Sequence, residues 1–291
     1  MSTNNDIIIS EETFFEHGVN VFKKYRNLLK ELTRKNISLK YRNSWLGIFW
    51  SFLQPLLNMA VLSVVFGGLF GKHSQYIICY PVFLFTGRLL YDFFNSATKQ
   101  AMTSFRRNAA IIKKVYVPKY MYPLSSIFSC FVTFAISILC YITVWVFFKL
   151  TGISGGAGLT VTWKVLFVLV PMILVLLFST GVGLILSVLC VYFRDIEYIW
   201  DVVMRLVFYM VPILYPIQNI NKDGDRNWII YVIKINPLYS MIELFRQCVL
   251  YDSNTLISWK LLLYGGVVSI TTLALGVVVF NWKSDDIIYH L

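Results

Sequence analysis

Between Arg42 and Lys72 the chain carries no charged side chain. That run exceeds the ~20 apolar residues needed to cross a bilayer core. Lys35, Lys40 and Arg42 crowd its near end, and Gln54, Pro55 and Asn58 interrupt its middle. A passive tether needs none of these. Polar groups and proline are tolerated inside a span where neighbouring helices or a watery path satisfy them.

Composition extends the reading to the whole chain. Of 291 residues, 57% are hydrophobic and only 14% charged, against about 25% charged in a soluble domain. With a mean hydropathy of +0.66, this is an all-α polytopic membrane protein. The net charge of +11 lies beside apolar runs, so it fits cytoplasmic anchoring rather than nucleic-acid binding. Met1 to Ser10 lacks a basic n-region and an apolar core, so no cleavable signal is expected. The five scattered cysteines read as small buried hydrophobes.

Six spans are expected, at about 45–70, 80–104, 123–148, 163–191, 198–214 and 259–282. Before them, Phe15, Val19, Phe22 and Leu29 recur at helical spacing among basic residues. They predict an amphipathic helix along the cytoplasmic membrane face, opened by a Thr13/Glu16 capping box. The second span contains Arg88, Asp92 and Lys99; the first two are four apart and can neutralise each other or meet substrate. The fifth contains Asp201 and Arg205, again four apart, in the favourable orientation for a helical ion pair. Two short apolar pieces, 228–235 and 238–251, are broken by Asn236-Pro237. They predict an extracytoplasmic re-entrant helical hairpin before the last span.

The basic residues of the N-terminal segment and of the loop after span two put both termini in the cytosol. That loop, FRRNAAIIKKVYVPKYMY, has an apolar centre, which predicts a short helix ending near Pro118 and docked into another protein. The domain division is 1–40 for the cytosolic segment, 41–284 for the six-span domain and 285–291 for the tail. No ATP site is legible: Phe66 and His73 stand where a P-loop ending at Gly71-Lys72 needs glycine and a hydroxyl residue. His17, His73 and His290 are too scattered to suggest a metal site.

Particular strings carry a resemblance. Tyr41-Arg42-Asn43-Ser44-Trp45-Leu46-Gly47 is followed by Trp50 and Pro55. Later come Lys113-Lys114-Val115-Tyr116-Val117-Pro118, Tyr192-Phe193-Arg194-Asp195-Ile196, Pro212-Ile213-Leu214-Tyr215-Pro216 and Asn236-Pro237-Leu238. In this order they resemble the membrane subunit of ABC-2 type polysaccharide exporters, the permeases for O-antigens, teichoic acids and capsular polysaccharides. The resemblance implies a homodimer of permeases joined to two ATPase subunits in a bacterial cytoplasmic membrane, moving lipid-linked polysaccharide. ATP and Mg would be bound by the partner, with no cofactor in this chain. Force would enter through Lys113, Lys114, Val115, Tyr116, Pro118, Arg194 and Asp195. One departure is Arg88: the family usually has an uncharged residue and an aromatic where this chain has Arg88 and nearby Tyr91.

Trp50, Gln54 and Asn58 share one face of span one at intervals of four, as do Asp201, Arg205 and Tyr209 on span five. These two faces are the candidate substrate path. A drug or lipid exporter, a membrane glycosyltransferase and a passive channel are the competing functions. The glycosyltransferase lacks a catalytic acidic pair or a sugar-nucleotide domain in this sequence.

Overall fold

The computed structural model describes residues 14–67, 77–114, 117–217, 227–251 and 257–283, and these contain helices but no strand. In chain order the longer helices are α1 (Phe14–Tyr41), α2 (Trp50–Phe66), α3 (Tyr80–Met102), α4 (Ser104–Ile112) and α5 (Met121–Thr151). They continue with α6 (Leu169–Tyr192), α7 (Ile196–Met210), α8 (Asn227–Ile235), α9 (Pro237–Val249) and α10 (Trp259–Lys283). Thr13 and the tail after Lys283 lie outside the described residues, as do the side chains up to Lys24.

Among the described residues, four stretches are long and apolar enough to cross a membrane: Gly47–Phe66, Met121–Thr151, Trp163–Tyr192 and Trp259–Lys283. The pair Trp228–Ile235 and Pro237–Val249, bent by 86°, makes a fifth if counted as one. Six were expected, and the two shortfalls have different causes. α3 has 23 residues, ~35 Å at 1.5 Å per residue, but it carries Arg88, Asp92 and Lys99. α7 stops at Met210 because Val211 precedes Pro212 and is extended, with ψ 135. Its 15 residues rise only ~22 Å.

α3 is the axis of the bundle. Val82, Leu84, Phe85, Leu90, Ala97 and Ala101 on it are fully enclosed. It packs on α5 and α6, with Phe93 and Phe134 centroids 4.7 Å apart and Phe94 stacked on Phe178 at 5.0 Å. α6 and α10 cross so closely that a Cβ on Gly276 would stand 2.5 Å from the Gly181 carbonyl oxygen. Glycine is required there to let the backbones meet.

The second half of α1 is tied down by protein. Lys35 Nζ donates to Asn108 Oδ1 at 3.2 Å and Asn36 Nδ2 to Ser125 Oγ at 3.3 Å. The short helix expected near Pro118 lies earlier, as α4, and Lys113 and Lys114 form an exposed turn after it. Val115 and Tyr116 lie outside the described residues. At the α8–α9 break, Asn236 Oδ1 accepts the Leu238 N–H at 3.0 Å and Pro237 takes the first turn. These residues therefore start a helix as well as end one. All five cysteines are free and buried.

Candidate polar cavity and helix seam

Gln54 and Asn58, one helical turn apart on α2, open into a cavity of about 310 Å³ between α2, α3 and α5. α3 contributes Arg88, Asp92 and Asn95, and α5 contributes Thr133 and Ser137. The expected Arg88–Asp92 pair is present, Nε to Oδ2 at 3.0 Å, with side chains 22% and 37% exposed. Ser137 Oγ donates to the Ser51 carbonyl at 3.4 Å and joins α5 to α2. Lys40 and Tyr41 line the cavity's end nearest α1, and the Tyr41 hydroxyl bonds to Ser51 Oγ. Asn95 Oδ1 is buried without a partner among the described residues. Gln54 is exposed and so stands at the mouth.

The other half of the expected path is α7, which packs on α3 and α6. Here one expectation is corrected. Asp201 does not pair with Arg205; both its oxygens take the Lys99 ammonium, at 2.8 and 2.9 Å. A cation held in the bundle needs its charge met, and Asp201 on the neighbouring helix meets it. Lys99 was the missed residue, and its signal was that a lone cation in an apolar helix requires a carboxylate elsewhere. Arg205 is exposed, and Tyr209 is exposed while its carbonyl accepts the Tyr215 hydroxyl at 3.1 Å. Trp50 is likewise exposed, outside the cavity lining.

The structure therefore brings Gln54 and Asn58 into one cavity but leaves Asp201, Arg205 and Tyr209 on another seam. Arg88 links the two. It lines the cavity and also lies 5.4 Å from the Phe208 ring of α7. Beside it, the Tyr91 hydroxyl donates to the Met204 carbonyl at 2.5 Å, and Trp200 Nε1 donates to Thr98 Oγ1 at 3.1 Å.

Outside the bundle, two of the expected force-receiving segments meet. Arg106 on α4 reaches Glu197, at the start of α7, with Nη2 to Oε2 at 2.5 Å. That hydrogen bond raises the Arg106 pKa above its ordinary value. The pair is open to solvent, so it sets register more than stability. Arg194 and Asp195 are exposed in the turn just before it, and Pro118 is half-buried.

Long apolar helices around a charged central helix, with a polar cavity and a polar seam against it, define a polytopic helical membrane protein. The chain belongs to the ABC-2 type transporter family, whose model matches residues 27–250. Similar proteins include the O-antigen export system permease protein RfbA of Klebsiella pneumoniae, 29% identical over 255 residues, 88% of this chain and 91% of that one. The protein of that name in Myxococcus xanthus is 27% identical over 79% of this chain and 82% of its own. The polysialic acid transport protein KpsM of Escherichia coli is 22% identical over 91% of this chain and 96% of its own.

Proposed function

We propose that the chain is the permease subunit of an ABC exporter that moves lipid-linked polysaccharide across a bacterial cytoplasmic membrane. The observation that carries this is the amide face of α2, open on a cavity that Arg88 connects to α7, in a chain whose relatives are named for O-antigen export and polysialic acid transport. Sugar polymers present hydroxyls that amides and aromatic faces recognise. The chain crosses the membrane six times, through α2, α3, α5, α6, α7 with the segment after it, and α10. α1 lies at the cytoplasmic face, α8–α9 form the re-entrant hairpin opposite, and both termini are cytosolic. Two copies face each other through α2 and α7, and Trp50, Gln54, Asn58, Asp201, Arg205 and Tyr209 line the path between them. Two separate ATPase subunits bind ATP and Mg and push on Lys113, Lys114, Val115, Tyr116 and Pro118, with Arg194 and Asp195 beside them.

The test is transport in inside-out vesicles. The tagged chain should co-purify with a nucleotide-binding subunit, and lipid-linked polysaccharide should become enclosed only when ATP is added. Enclosure without ATP would assign a passive channel; extension of the polymer by the purified chain would assign a glycosyltransferase.

A further inference from the structure

The cavity between α2, α3 and α5 holds polar groups that the fold leaves unused. Arg88 spends its Nε on Asp92 Oδ2 at 3.0 Å, and among the described residues neither of its Nη groups makes a hydrogen bond. The side-chain amides of Gln54 and Asn58 are likewise without a partner there, and Asn95 Oδ1 is buried without one. Unmet polar groups at such depth cost free energy that an occupant with matching groups recovers. Phe85, Phe93 and Phe134 add apolar wall. Apolar walls with a few convergent polar groups are the make-up of a small-ligand site. A volume of about 310 Å³ is at the small end of such sites and suits a single sugar unit of a polymer.

The unused groups also set the ligand's charge. Lys40 and Arg88 line the cavity with a single carboxylate, Asp92, so the lining carries one net positive charge. Asp92 occupies the Nε edge of the guanidinium, which leaves the end of the fork, one N–H from each Nη side by side. That end matches the two oxygens of a carboxylate. A carboxylate there also brings the lining to neutrality, which a low-dielectric site favours. The Asn58 and Asn95 amides remain to donate to and accept from ring hydroxyls. We propose that the cavity binds one carboxylate-bearing sugar unit of the exported polymer, its carboxylate on the Arg88 fork and its hydroxyls on Asn58 and Asn95, so that Arg88 selects acidic cargo. This deepens the export reading and rests on it.

The test uses the full chain in nanodiscs with Ser96→Cys as the reporter, since Ser96 is exposed and lines the cavity while the native cysteines are buried. The probe is a tetrasaccharide alternating glucuronic acid and N-acetylglucosamine, and its carboxyl-reduced form is the neutral control. The acidic probe should protect the reporter from maleimide at about tenfold lower concentration than the neutral one, the scale of roughly 1.4 kcal/mol. Arg88→Gln with Asp92→Asn removes both charges and orphans neither. It should erase that ratio while the neutral probe stays within about twofold of its parent value, or roughly 0.4 kcal/mol. Arg88→Lys keeps the charge without the fork and should retain only part of the ratio. A purely structural role for the pair would shift both probes together. Equal potency of the two probes, or an advantage that survives the double variant, would overturn the proposal. So would matching protection by dodecyl phosphate, which has no sugar and would give the fork to a lipid headgroup. Protection by neither probe, with ATP-dependent enclosure intact in vesicles, would remove the site and leave the exporter. Acid-selective protection without enclosure would keep the acidic-sugar site and remove the exporter.

Discussion

Removing the Arg246 guanidinium should loosen one specific turn. After the last helical bond of α7, from the Val211 N–H to the Val207 carbonyl at 2.9 Å, the chain runs on through Pro212, Ile213 and Leu214, buried like Val211. Backbone carbonyls at such depth need donors from the protein. Arg246 on α9 supplies two of them: Nη1 to the Pro212 carbonyl at 2.8 Å and Nη2 to that of Ile213 at 3.4 Å. Its Nε donates to Thr86 Oγ1 at 3.3 Å, and the Tyr80 hydroxyl serves the Leu214 carbonyl at 3.0 Å. The guanidinium is 1% exposed, 3.7 Å from the Phe83 ring centroid and 3.8 Å from Glu243. Arg246→Met orphans the short bond's acceptor, at ~1–3 kcal/mol; the two longer bonds count for less. Loss of the ring contact adds up to ~2 kcal/mol, and relief of a desolvated charge offsets part of the total. The net destabilisation should be ~1–4 kcal/mol, these contributions less the offset. Reversible SDS titration measures it, and hydrogen exchange at Ile213 to Tyr215 shows where it falls. Arg246→Lys keeps the charge without the fork and should recover part of the loss. An Arg246→Met protein within ~0.5 kcal/mol of the parent, with unchanged exchange in that turn, would refute the reasoning.

Three further outcomes follow. Exchanging charges between Lys99 and Asp201 (Lys99→Asp with Asp201→Lys) should preserve ATP-dependent export, whereas Asp201→Arg with Arg205→Asp sets two cations together and should reduce it; the opposite ranking in vesicle transport would discard the pair. Because its side chains are 43% and 33% exposed, Asp201→Asn alone should change stability by no more than ~1 kcal/mol. For topology, an impermeant maleimide should label exposed Ile153→Cys in intact cells and Lys113→Cys only after permeabilisation, against a low background since the native cysteines are buried. Gly155 is unsuited to this test, since its φ is +83 and an added Cβ would meet the Ile78 carbonyl at 2.2 Å. Labelling of Lys113→Cys from outside would invert the proposed orientation.

What was legible in the sequence was local. Gln54 and Asn58 share a face because helical spacing puts them there, and Arg88 meets Asp92 for the same reason. The break at Asn236-Pro237 was readable because capping and proline chemistry act within a few residues. The early end of α7 was readable too, in the restriction that Pro212 places on Val211, although the expected span ran on to Leu214. The partner of Asp201 was not. Lys99 lies 102 positions away in sequence, and no periodicity reports which face of one helix meets another. Arg246 was hidden similarly: in sequence it is a cation in a short apolar segment, and its acceptors are 33 and 34 residues upstream.

The three charges that made α3 look costly as a span are consistent with its place at the axis. A lipid-facing helix could not keep them, whereas an axial helix can give each a partner. Those partners also grade the strength of the seams around it. α6 and α10 interlock through glycines at backbone contact. α7 buries only Met204 and holds to α3 and α4 through spaced polar contacts: Glu197 with Arg106, Asp201 with Lys99, the Met204 carbonyl with Tyr91, and Phe208 under Arg88. Partly hydrated ionic contacts exchange for water at small cost, but interdigitated backbone does not. Segments that move are drawn from the weakly packed end of a structure. Of these two seams, the one beside α7 is therefore the one that the push proposed for the ATPase side would open first, and Arg88, which lies against both Phe208 and the polar cavity, would carry that opening to the cavity's edge.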